Sequence, residues 1–309
     1  MKQIDILLSV FNGEKHLVEL LNSLLEQTYS NFRVLIRDDS STDNSLSIIN
    51  KYISDFPDIF QLFSDSFKNI GSAKSFMCLL KQTDSNYVMF CDQDDIWKND
   101  KVEITFDKMI TTEKVYQSLP ILIHTDLELV NSELESINSS LWKYQNINPN
   151  KTKLNQVIVQ NIVTGCTMMI NEPLINIAYA APDEIVMHDW WLTLIASTFG
   201  EIDYIAKNTI YYRQHELNQI GAKRYGGGKF IQPFNRLKNR KIENNYIKNQ
   251  VMAFKQRYED DMPLEKKEII DKFLEINNYG LIQKGCAYFI NGYKKNGIVR
   301  NVADIISPI

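Results

Sequence analysis

The sequence predicts an α/β protein, a three-layer α/β/α sandwich around a mostly parallel central sheet, followed by a C-terminal helical extension. Short β-rich runs alternate with helical patterns through the first 125 residues, which is the rhythm of βαβ units. The runs are continuously apolar, as strands are when helices cover both faces of a parallel sheet. With 309 residues, 44% of them hydrophobic and 11% aromatic, the chain can bury a large core.

The individual elements follow from these runs. Strands are expected at 4–10, 32–37, 60–63, 87–91 and 121–125. Helices are expected between them, at 14–27, 44–54, 72–82 and 101–118. Because ligands of doubly wound sheets collect at the carboxyl ends of the strands, the residues after each run are the first candidates for a site.

Beyond the fifth strand the alternation loosens, but the pattern still fits the other half of the same sheet. It contains a small-residue run, TGCTMMI (164–170), a helix that opens near residue 188, and a strand-like run at 209–215. The two halves of the sheet domain are therefore expected at 1–125 and 126–222.

A glycine triplet at 226–228 marks the boundary between the sheet domain, 1–222, and a basic, mainly helical region, 223–309. Within that second region, 241–275 has the pattern of a polar amphipathic helix, interrupted near Pro263.

Acidic and basic residues are segregated along the chain. The formal net charge is −4, yet 223–309 carries 17 Lys and Arg against 9 Asp and Glu. The stretch 223–241 contains basic residues and no acidic one, which suits an anionic membrane surface. A solvated basic linker explains the same stretch equally well. We expect no nucleic-acid partner.

The cysteines show no CxxC pairing, and each lies among apolar neighbours, which predicts buried structural thiols in a reducing cytoplasm. They are Cys78, Cys91, Cys166 and Cys286. The chain opens with no signal-peptide pattern and has no apolar run of the roughly eighteen residues that span a bilayer. We therefore expect a cytoplasmic protein, associated at most peripherally with the inner face of the cell membrane.

Two carboxylates, Asp38 and Asp39, follow the second predicted strand in RDDSSTDNS (37–45). A carboxylate at the carboxyl end of a strand can accept a hydrogen bond from a nucleobase N–H. Alternatively, Thr42 or Asp43 caps the next helix and the Asp pair is loop charge. These residues alone leave both interpretations open.

Three more carboxylates, Asp92, Asp94 and Asp95, crowd the end of the fourth predicted strand in CDQDD (91–95). Like charges so close together cost stability unless a cation lies among them. Hard oxygen ligands of this kind suit Mg²⁺ or Mn²⁺, with phosphate oxygens completing the coordination shell.

The sequence HDWW places His188 and Asp189 at the start of a predicted helix, where the helix dipole favours an ionised carboxylate. Asp189, with an ordinary pKa near 3.9, is a candidate general base. A helix cap is the alternative role. His188, Trp190 and Trp191 are candidates for acceptor contacts, the tryptophans by stacking on a sugar ring, although core packing is expected for at least one of them.

At the end of the later strand-like run, His215 is a candidate metal ligand and Arg213 a candidate diphosphate partner. Neither G-x-G-x-x-G nor G-x-x-x-x-G-K-[ST] occurs, which disfavours dinucleotide oxidoreductases and P-loop NTPases. The absence of G-x-S-x-G disfavours an α/β-hydrolase.

Six segments taken in order resemble glycosyltransferase family 2, and within it bacterial rhamnosyltransferases. They are the stretch 6–45, NIGSAKSF, FCDQDDIW, TGCTMMI, HDWW and YRQH. This resemblance, which covers about residues 3–222, implies a GT-A fold, a nucleotide-sugar donor bound by the first half of the domain, an acceptor bound by the second half, and inversion at the anomeric carbon.

The resemblance also implies roles on the donor side. Asp38 matches the aspartate that recognises the pyrimidine, and Val10 and Asn12 match the segment that flanks the base. Asp92 and Asp94 match the D-x-D motif that holds the ribose, the metal and the diphosphate.

On the acceptor side, Asp189 matches the catalytic base, and His215 matches a late histidine that completes the metal site. The sequence departs from the family pattern at Ser40, where Gly usually follows the Asp pair, and at Ser75, where a second Asn is expected. Because Gly tolerates φ > 0 and Ser does so less freely, Ser40 is expected to change the turn after the strand. Ser75 puts one polar contact of the donor site in doubt.

Together these observations predict a metal-dependent, inverting glycosyltransferase. The best-fitting donor is dTDP-rhamnose and the acceptor a glycan or lipid-linked saccharide in the synthesis of a cell-surface polysaccharide, with a UDP-hexose or UDP-N-acetylhexosamine donor as the alternative. A phosphohydrolase is less well supported, because its nucleophilic Asp would follow the first strand, where the chain has Val10, Phe11 and Asn12. A non-catalytic scaffold is disfavoured because every expected acid is present.

Overall fold

The computed structural model describes residues 3–179, 181–182, 184–214, 233–276, 279–297 and 300–301, without the side chains of 233–241 and 281. Within these residues the strands form one sheet of nine. The strands are β1 (Ile4–Val10), β2 (Phe32–Asp38), β3 (Phe60–Leu62), β4 (Tyr87–Asp92), β5 (Ile96–Trp97), β6 (Ile121–Val130), β7 (Ser136–Asn138), β8 (Met168–Asn171) and β9 (Glu201–Arg213). The helices are α1 (Glu14–Leu25), α2 (Ser45–Asp55), α3 (Ser72–Leu80), α4 (Lys101–Val115), α5 (Leu141–Gln145), α6 (Leu154–Val157), α7 (Glu172–Ala178), α8 (His188–Phe199), α9 (Pro233–Tyr258), α10 (Leu264–Glu275) and α11 (Leu281–Ile290).

The sheet has the strand order β3-β2-β1-β4-β8-β6-β9-β5, with β7 paired to the outer part of β6. The first four strands in this order are mutually parallel, and β9 is parallel to β6. Strand β8 runs antiparallel to both of its neighbours, β4 and β6, so β4 and β6 point in the same direction. The prediction of a mostly parallel sheet is therefore confirmed, and the antiparallel strands β5, β7 and β8 are additions to it.

The sheet has a hydrophobic core on each face, which confirms the three-layer arrangement. Successive residues of β1 alternate between the two cores: Leu7 belongs to one, and Ile6 and Leu8 to the other. Helices α1, α2 and α4 contribute to the core beside Ile6, whereas α3, α7 and α8 contribute to the core beside Leu7. Both faces of the central strands are buried, which explains why their sequences are continuously apolar.

The C-terminal helices add residues to the core that lies beside Leu7. Trp191 of α8 packs against Phe254 and Tyr258 of α9, with ring centroids 5.2 and 5.9 Å apart. The predicted interruption near Pro263 is confirmed by the gap between α9 and α10, while α11 was not predicted. The division at residue 222 stays a prediction, and the glycine triplet 226–228 lies outside the described residues. Among the helices that the structure describes, none is both long and apolar enough to cross a membrane.

The cysteine prediction is confirmed for two of the four thiols. Cys91 and Cys166 are buried, whereas Cys78 is only partly buried and Cys286 is exposed. Cys286 is exposed because the side of α11 that carries it faces away from the core, an orientation that its apolar neighbours did not reveal.

Candidate active site

The site lies at the carboxyl ends of three adjacent parallel strands. Val10, the last residue of β1, is paired with Asp38 of β2, and the preceding Ser9 is paired with Asp92 of β4. Since neighbouring strands are about 4.8 Å apart, the Cα atoms of Asp38 and Asp92 lie about 10 Å apart on either side of β1. The alternation of strands and helices thus brings two distant acidic motifs to one edge of the sheet.

Asp38 keeps one carboxylate oxygen available. Its Oδ2 accepts a hydrogen bond from the main-chain N–H of Ser41 at 3.0 Å. Its Oδ1 is buried and accepts no hydrogen bond from the described residues. Asp38 Oδ1 therefore has acceptor capacity left for an N–H of a ligand.

At the start of α2 it is Asp43 that stabilises the turn, because its Oδ1 accepts a hydrogen bond from Ser45 N at 2.9 Å. The N-cap residue of α2 is Asn44, which makes no side-chain cap hydrogen bond. The alternative in which Thr42 or Asp43 is the cap is therefore wrong.

The neighbouring Asp39 has a structural role. Its carboxylate accepts from the main-chain N–H groups of Ile70 and Gly71 at 3.0 and 2.8 Å, and from the guanidinium of Arg37 at 2.7 Å. Arg37 is itself buried and donates to Ser75 Oγ at 3.0 Å. The departure from the family pattern at Ser75 is thus accommodated by a contact with Arg37, inside the network that holds the loop before α3.

Ser40 has a backbone conformation that glycine adopts freely and serine does not. Its φ is +69°, in the left-handed region that costs a residue with a side chain about 1–2 kcal/mol. Ser40 is therefore strained in this turn, and a change of the turn relative to the family stays a prediction.

We expect Ser40→Gly to raise the free energy of unfolding by up to about 1 kcal/mol, because relief of the strain is partly offset by the greater freedom of glycine in the unfolded chain. Ser40→Ala is the matched control, since it removes the hydroxyl and keeps the strain. Chemical denaturation of the three proteins provides the measurement. Equal stability of the Gly and Ala variants would show that the turn stores no strain at this residue.

The loop after β1 is tied to the loops that follow β2 and β4. Val10 has a buried side chain, and its carbonyl accepts from Asp39 N at 2.7 Å, so it flanks the site through its main chain. Asn12 N donates to Ser41 Oγ at 2.9 Å. The Gln93 amide binds both main-chain groups of Phe11, at 2.7 and 2.9 Å. Sequence reasoning missed Gln93, because the middle residue of D-x-D carries no signal of its own.

The carboxylates after β4 form the centre of the site. Asp92, Asp95 and Cys166 each offer a ligand atom, and these atoms all lie within 4.8 Å of one another. Burial, followed by the charges of Asp94 and Asp189, raises the pKa of Asp92 to about 7. Burial and the same Asp94 charge raise the pKa of Asp95 well above its usual value. Four carboxylates therefore act on one another here.

This donor set fits a hard divalent cation through its carboxylates. Asp95 Oδ2 is buried and accepts no hydrogen bond from the described residues, so a ligand atom is available there. Burial raises the pKa of the Cys166 thiol well above its ordinary value, so Cys166 stays protonated and is a poor ligand for Mg²⁺ or Mn²⁺. The carboxylate that lies with the Asp92 carboxylate and the Cys166 thiol is that of Asp95, not Asp94. The assignment of Asp94 as a metal ligand stays a prediction.

Asp189 lies in the first turn of α8, but it is not the cap, since the N-cap residue is Met187. Its carboxylate accepts from Gly165 N at 3.1 Å and from Trp190 N at 2.6 Å. Burial outweighs these hydrogen bonds and raises the pKa of Asp189 to about 7. The expectation of an ordinary pKa near 3.9 is therefore wrong, because the sequence does not show how far the surrounding protein removes water from this group.

The structure separates the three aromatic candidates for acceptor contacts. The His188 ring is 2% exposed and lies between Phe76 and Phe90, at centroid distances of 4.2 and 5.1 Å, and burial lowers its pKa to about 3. Trp191 is fully buried beneath α9. The expectation of acceptor contacts is corrected for both residues, because their side chains belong to the core. Trp190 remains partly exposed and donates to Val157 O at 2.8 Å.

Gly165 holds Asp189 in place and tolerates no side chain. A Cβ at this residue would lie 2.7 Å from Nε2 of His188, a ring that the two phenylalanines prevent from moving away. We expect Gly165→Ala to displace Asp189, with a loss of at least about tenfold in transfer rate and a modest loss of stability. Initial rates and thermal unfolding provide the measurement. Unchanged turnover in the Ala variant would contradict the role of this contact.

The two candidates at the end of β9 have different outcomes. Arg213 is 2% exposed, and its guanidinium donates to the main-chain carbonyls of Asp94 and Ser132, at 3.1 and 2.8 Å, and pairs with Glu19. It therefore holds the D-x-D loop in place, and its contact with a diphosphate stays a prediction. His215 lies outside the described residues.

Solved structures define the class of this fold. The chain matches TarS from S. aureus, in complex with UDP, over 99% of this chain and 90% of that one, with a TM-score of 0.55 and 15% identity. A mannosyltransferase from Pyrobaculum calidifontis, in complex with GDP-Man and Mn²⁺, matches over 98% of this chain and 78% of that one, with a TM-score of 0.53 and 13% identity. These likenesses show that the fold is the GT-A fold of glycosyltransferases.

Sequence comparisons give the family. The model of glycosyl transferase family 2 matches residues 5–178. A dTDP-rhamnosyl transferase of Shigella flexneri is 30% identical over 227 residues, which are 70% of this chain and 74% of the relative. A UDP-Glc:α-D-GlcNAc-diphosphoundecaprenol β-1,3-glucosyltransferase of Escherichia coli is 33% identical over 52% of this chain and 64% of the relative. The chain belongs to glycosyl transferase family 2 and is a glycosyltransferase, which sets the phosphohydrolase and the scaffold aside.

Proposed function

We propose that the protein moves a sugar from a nucleoside diphosphate donor to an acceptor hydroxyl with inversion at the anomeric carbon, in a reaction that requires Mg²⁺ or Mn²⁺. The observation that carries the proposal is the meeting of Asp38, Asp92, Asp95 and Asp189 at one edge of the sheet. A hydrogen-bond acceptor for a base, oxygen ligands for a cation and a carboxylate with a raised pKa are the groups that such a transfer needs.

The donor is bound by the residues after β1, β2 and β4. The free Oδ1 of Asp38 suits the ring N–H that uracil and thymine share, so Asp38 selects a pyrimidine without separating UDP from dTDP donors. Asn12 and the main chain of Val10 flank the base, while Asp92 and Asp94 lie on the diphosphate side. A divalent cation, when bound there, neutralises charge on the departing diphosphate.

The acceptor is activated by Asp189. An ionised carboxylate at this place takes the proton of the attacking hydroxyl, and a pKa near the working pH is well matched to that task. Main-chain hydrogen bonds from Gly165 and Trp190 fix its orientation, so that little reorganisation is needed. The indole of Trp190, partly exposed beside it, can stack on an acceptor sugar.

The relatives support particular donors and acceptors. The Shigella relative favours dTDP-rhamnose as the donor, and the Escherichia relative, with the complex of TarS with UDP-GlcNAc, supports the UDP-sugar alternative. A diphosphoundecaprenol saccharide, as in the Escherichia relative's name, is a lipid-linked acceptor. We therefore place the reaction in cell-surface polysaccharide synthesis, at the cytoplasmic face of a membrane that the basic segment 223–241 helps to contact.

The purified chain with Mn²⁺ is to be incubated with dTDP-rhamnose, UDP-glucose, UDP-galactose or UDP-N-acetylglucosamine, with and without a GlcNAc-diphospholipid acceptor. We expect one donor to release its nucleoside diphosphate in a manner that depends on the acceptor. Release of nucleoside diphosphate at the same rate with and without acceptor would indicate hydrolysis of the donor. No release from any pyrimidine donor, with this or other saccharide acceptors, would rule out the proposed reaction.

A further inference from the structure

Helix α11 turns an apolar side outward. Ile282 is 83% exposed, Phe289 55% and Ile290 82%, and Cys286 between them is exposed as well. The spacing of i, i+4, i+7 and i+8 places these four residues on one side of the helix. We call them the apolar stripe. The opposite side holds Tyr288, which is buried against Tyr293. The outward side of an ordinary surface helix is polar, whereas the outward side of α11 is apolar.

The edge of the apolar stripe carries an exposed cation, and its own segment of the chain has no acidic residue. Between Glu275 and Asp304 no Asp or Glu occurs, and of the four basic residues there Lys294 is exposed and Arg300 partly exposed, whereas Lys284 and Lys295 are buried. The ammonium group of Lys294 lies 5.0 Å from the centre of the Phe289 ring, at the edge of the stripe. An apolar stripe with a lysine at its edge is a feature of helices that lie in the headgroup region of anionic membranes. A second copy packed on the stripe would bring Lys294 towards its own counterpart, so the charge of Lys294 favours an anionic occupant.

The position of α11 relates it to the acceptor side of the site. The segment after α11 is fixed to the chain near α6, since Asn155 donates to Asn291 O at 2.8 Å and Asn296 N donates to Gln160 Oε1 at 2.6 Å. In the same stretch, Val157 O accepts from the indole of Trp190, next to Asp189. A surface bound by α11 is therefore linked through one short stretch of chain to the residues proposed to meet the acceptor.

We propose that α11 lies on an anionic phospholipid surface, with the apolar stripe inserted among the headgroups, and so brings the enzyme to a lipid-linked acceptor. This contact is separate from the basic segment 223–241. The purpose of the contact rests on the proposed function, whereas the binding itself does not.

The test compares vesicle binding of the full chain and two variants. The stripe variant combines Ile282→Glu with Phe289→Glu, and the control is Val115→Glu, at a side chain that is 70% exposed at the end of α4. With vesicles of phosphatidylglycerol and phosphatidylcholine, we expect co-sedimentation of the wild type and the control, and at least a tenfold loss of binding in the stripe variant. Vesicles of phosphatidylcholine alone should bind all three weakly.

A second measurement needs no added charge. A polarity-sensitive dye on Cys286, in a chain with Cys78→Ser, should shift its emission to the blue when anionic vesicles are added. Equal binding of the stripe variant and the wild type, or no shift of the dye, would overturn the proposal. So would a dimer of the wild type that the stripe variant breaks while vesicle binding stays absent, because a second copy would then cover the stripe.

Failure of this inference is distinguishable from failure of the proposed function. On a water-soluble acceptor, the stripe variant should release nucleoside diphosphate at the wild-type rate. Normal release without vesicle binding would reject the membrane contact alone, and vesicle binding without release from any donor would reject the transferase reaction alone.

Discussion

Asp189→Asn is expected to lower the rate of sugar transfer by about 10²–10⁴-fold while donor affinity stays within a few-fold of the wild type. The substitution preserves the size of the side chain and leaves an oxygen to accept from Gly165 N, but it removes the group that takes the proton. Donor binding should persist because Asp38 and the D-x-D loop lie at the carboxyl ends of strands β2 and β4, whereas Asp189 lies in helix α8. Calorimetry with donor and Mn²⁺, beside initial rates of transfer, separates the two effects.

The same variant tests the raised pKa of Asp189. Between pH 3.8, the ordinary value, and about 7, the folded state holds a proton that the unfolded state has lost. The contribution of Asp189 to stability therefore falls as pH rises through this window, and at pH 8 the ionised carboxylate destabilises the fold. We expect the free energy of unfolding of Asp189→Asn to exceed that of the wild type by about 1–3 kcal/mol at pH 8 and to differ little from it at pH 4.

The pH dependence of the wild-type rate follows from the same pKa. Only the ionised form of Asp189 accepts a proton, so transfer should decline as pH falls below about 7. If the role of Asp189 is only structural, a folded Asn variant should retain near-wild-type transfer. That result would exclude Asp189 as the base, and Asp95 would be the next candidate.

Removal of divalent cations is expected to reduce transfer by at least about 10²-fold, with recovery on addition of Mn²⁺ or Mg²⁺. The carboxylates that follow β4 raise one another's pKa, and a diphosphate would add further negative charge to them. A cation worth several kcal/mol of charge stabilisation accounts for a loss of this size. Rates in excess EDTA, before and after addition of metal, provide the measurement.

Substitutions at the metal site should weaken two kinds of binding together. We expect Asp92→Asn and Asp94→Asn to lower the affinity for Mn²⁺ and for the donor, whereas Asp58→Asn, at an exposed loop residue, should change neither. The structure groups Asp92 with Asp95, whereas the D-x-D pattern pairs it with Asp94. Comparing Asp95→Asn with Asp94→Asn therefore shows which of the two residues binds the cation together with Asp92. Full turnover in the metal-free enzyme would refute the cation requirement.

The sequence predicts the donor half of the site well, because periodicity determines it. Once IDILLSV, FRVLIRD and YVMFCD are interpreted as parallel strands, Asp38 and Asp92 must lie at the same edge, and the register confirms this. The departure at Ser40 is informative as well, since this residue has a positive φ, which glycine would tolerate without strain.

The acceptor half is less predictable, because its geometry depends on contacts between distant parts of the chain. The pattern HDWW does not show that His188 lies between Phe76 and Phe90, or that α9 covers Trp191. Nor does it show that Gly165 N supports Asp189, because that contact joins a 3-10 turn to a helix more than twenty residues later. The raised pKa of Asp189 is a product of the same packing.

The configuration of the new glycosidic bond tests the central claim most directly. With the donor that turns over, nuclear magnetic resonance of the isolated product gives the anomeric configuration of the transferred sugar. A single in-line displacement, with Asp189 as the base, predicts a configuration opposite to that in the donor, and no product from Asp189→Asn on the same time scale. A retained configuration, or the same product formed at an undiminished rate by Asp189→Asn, would contradict this account.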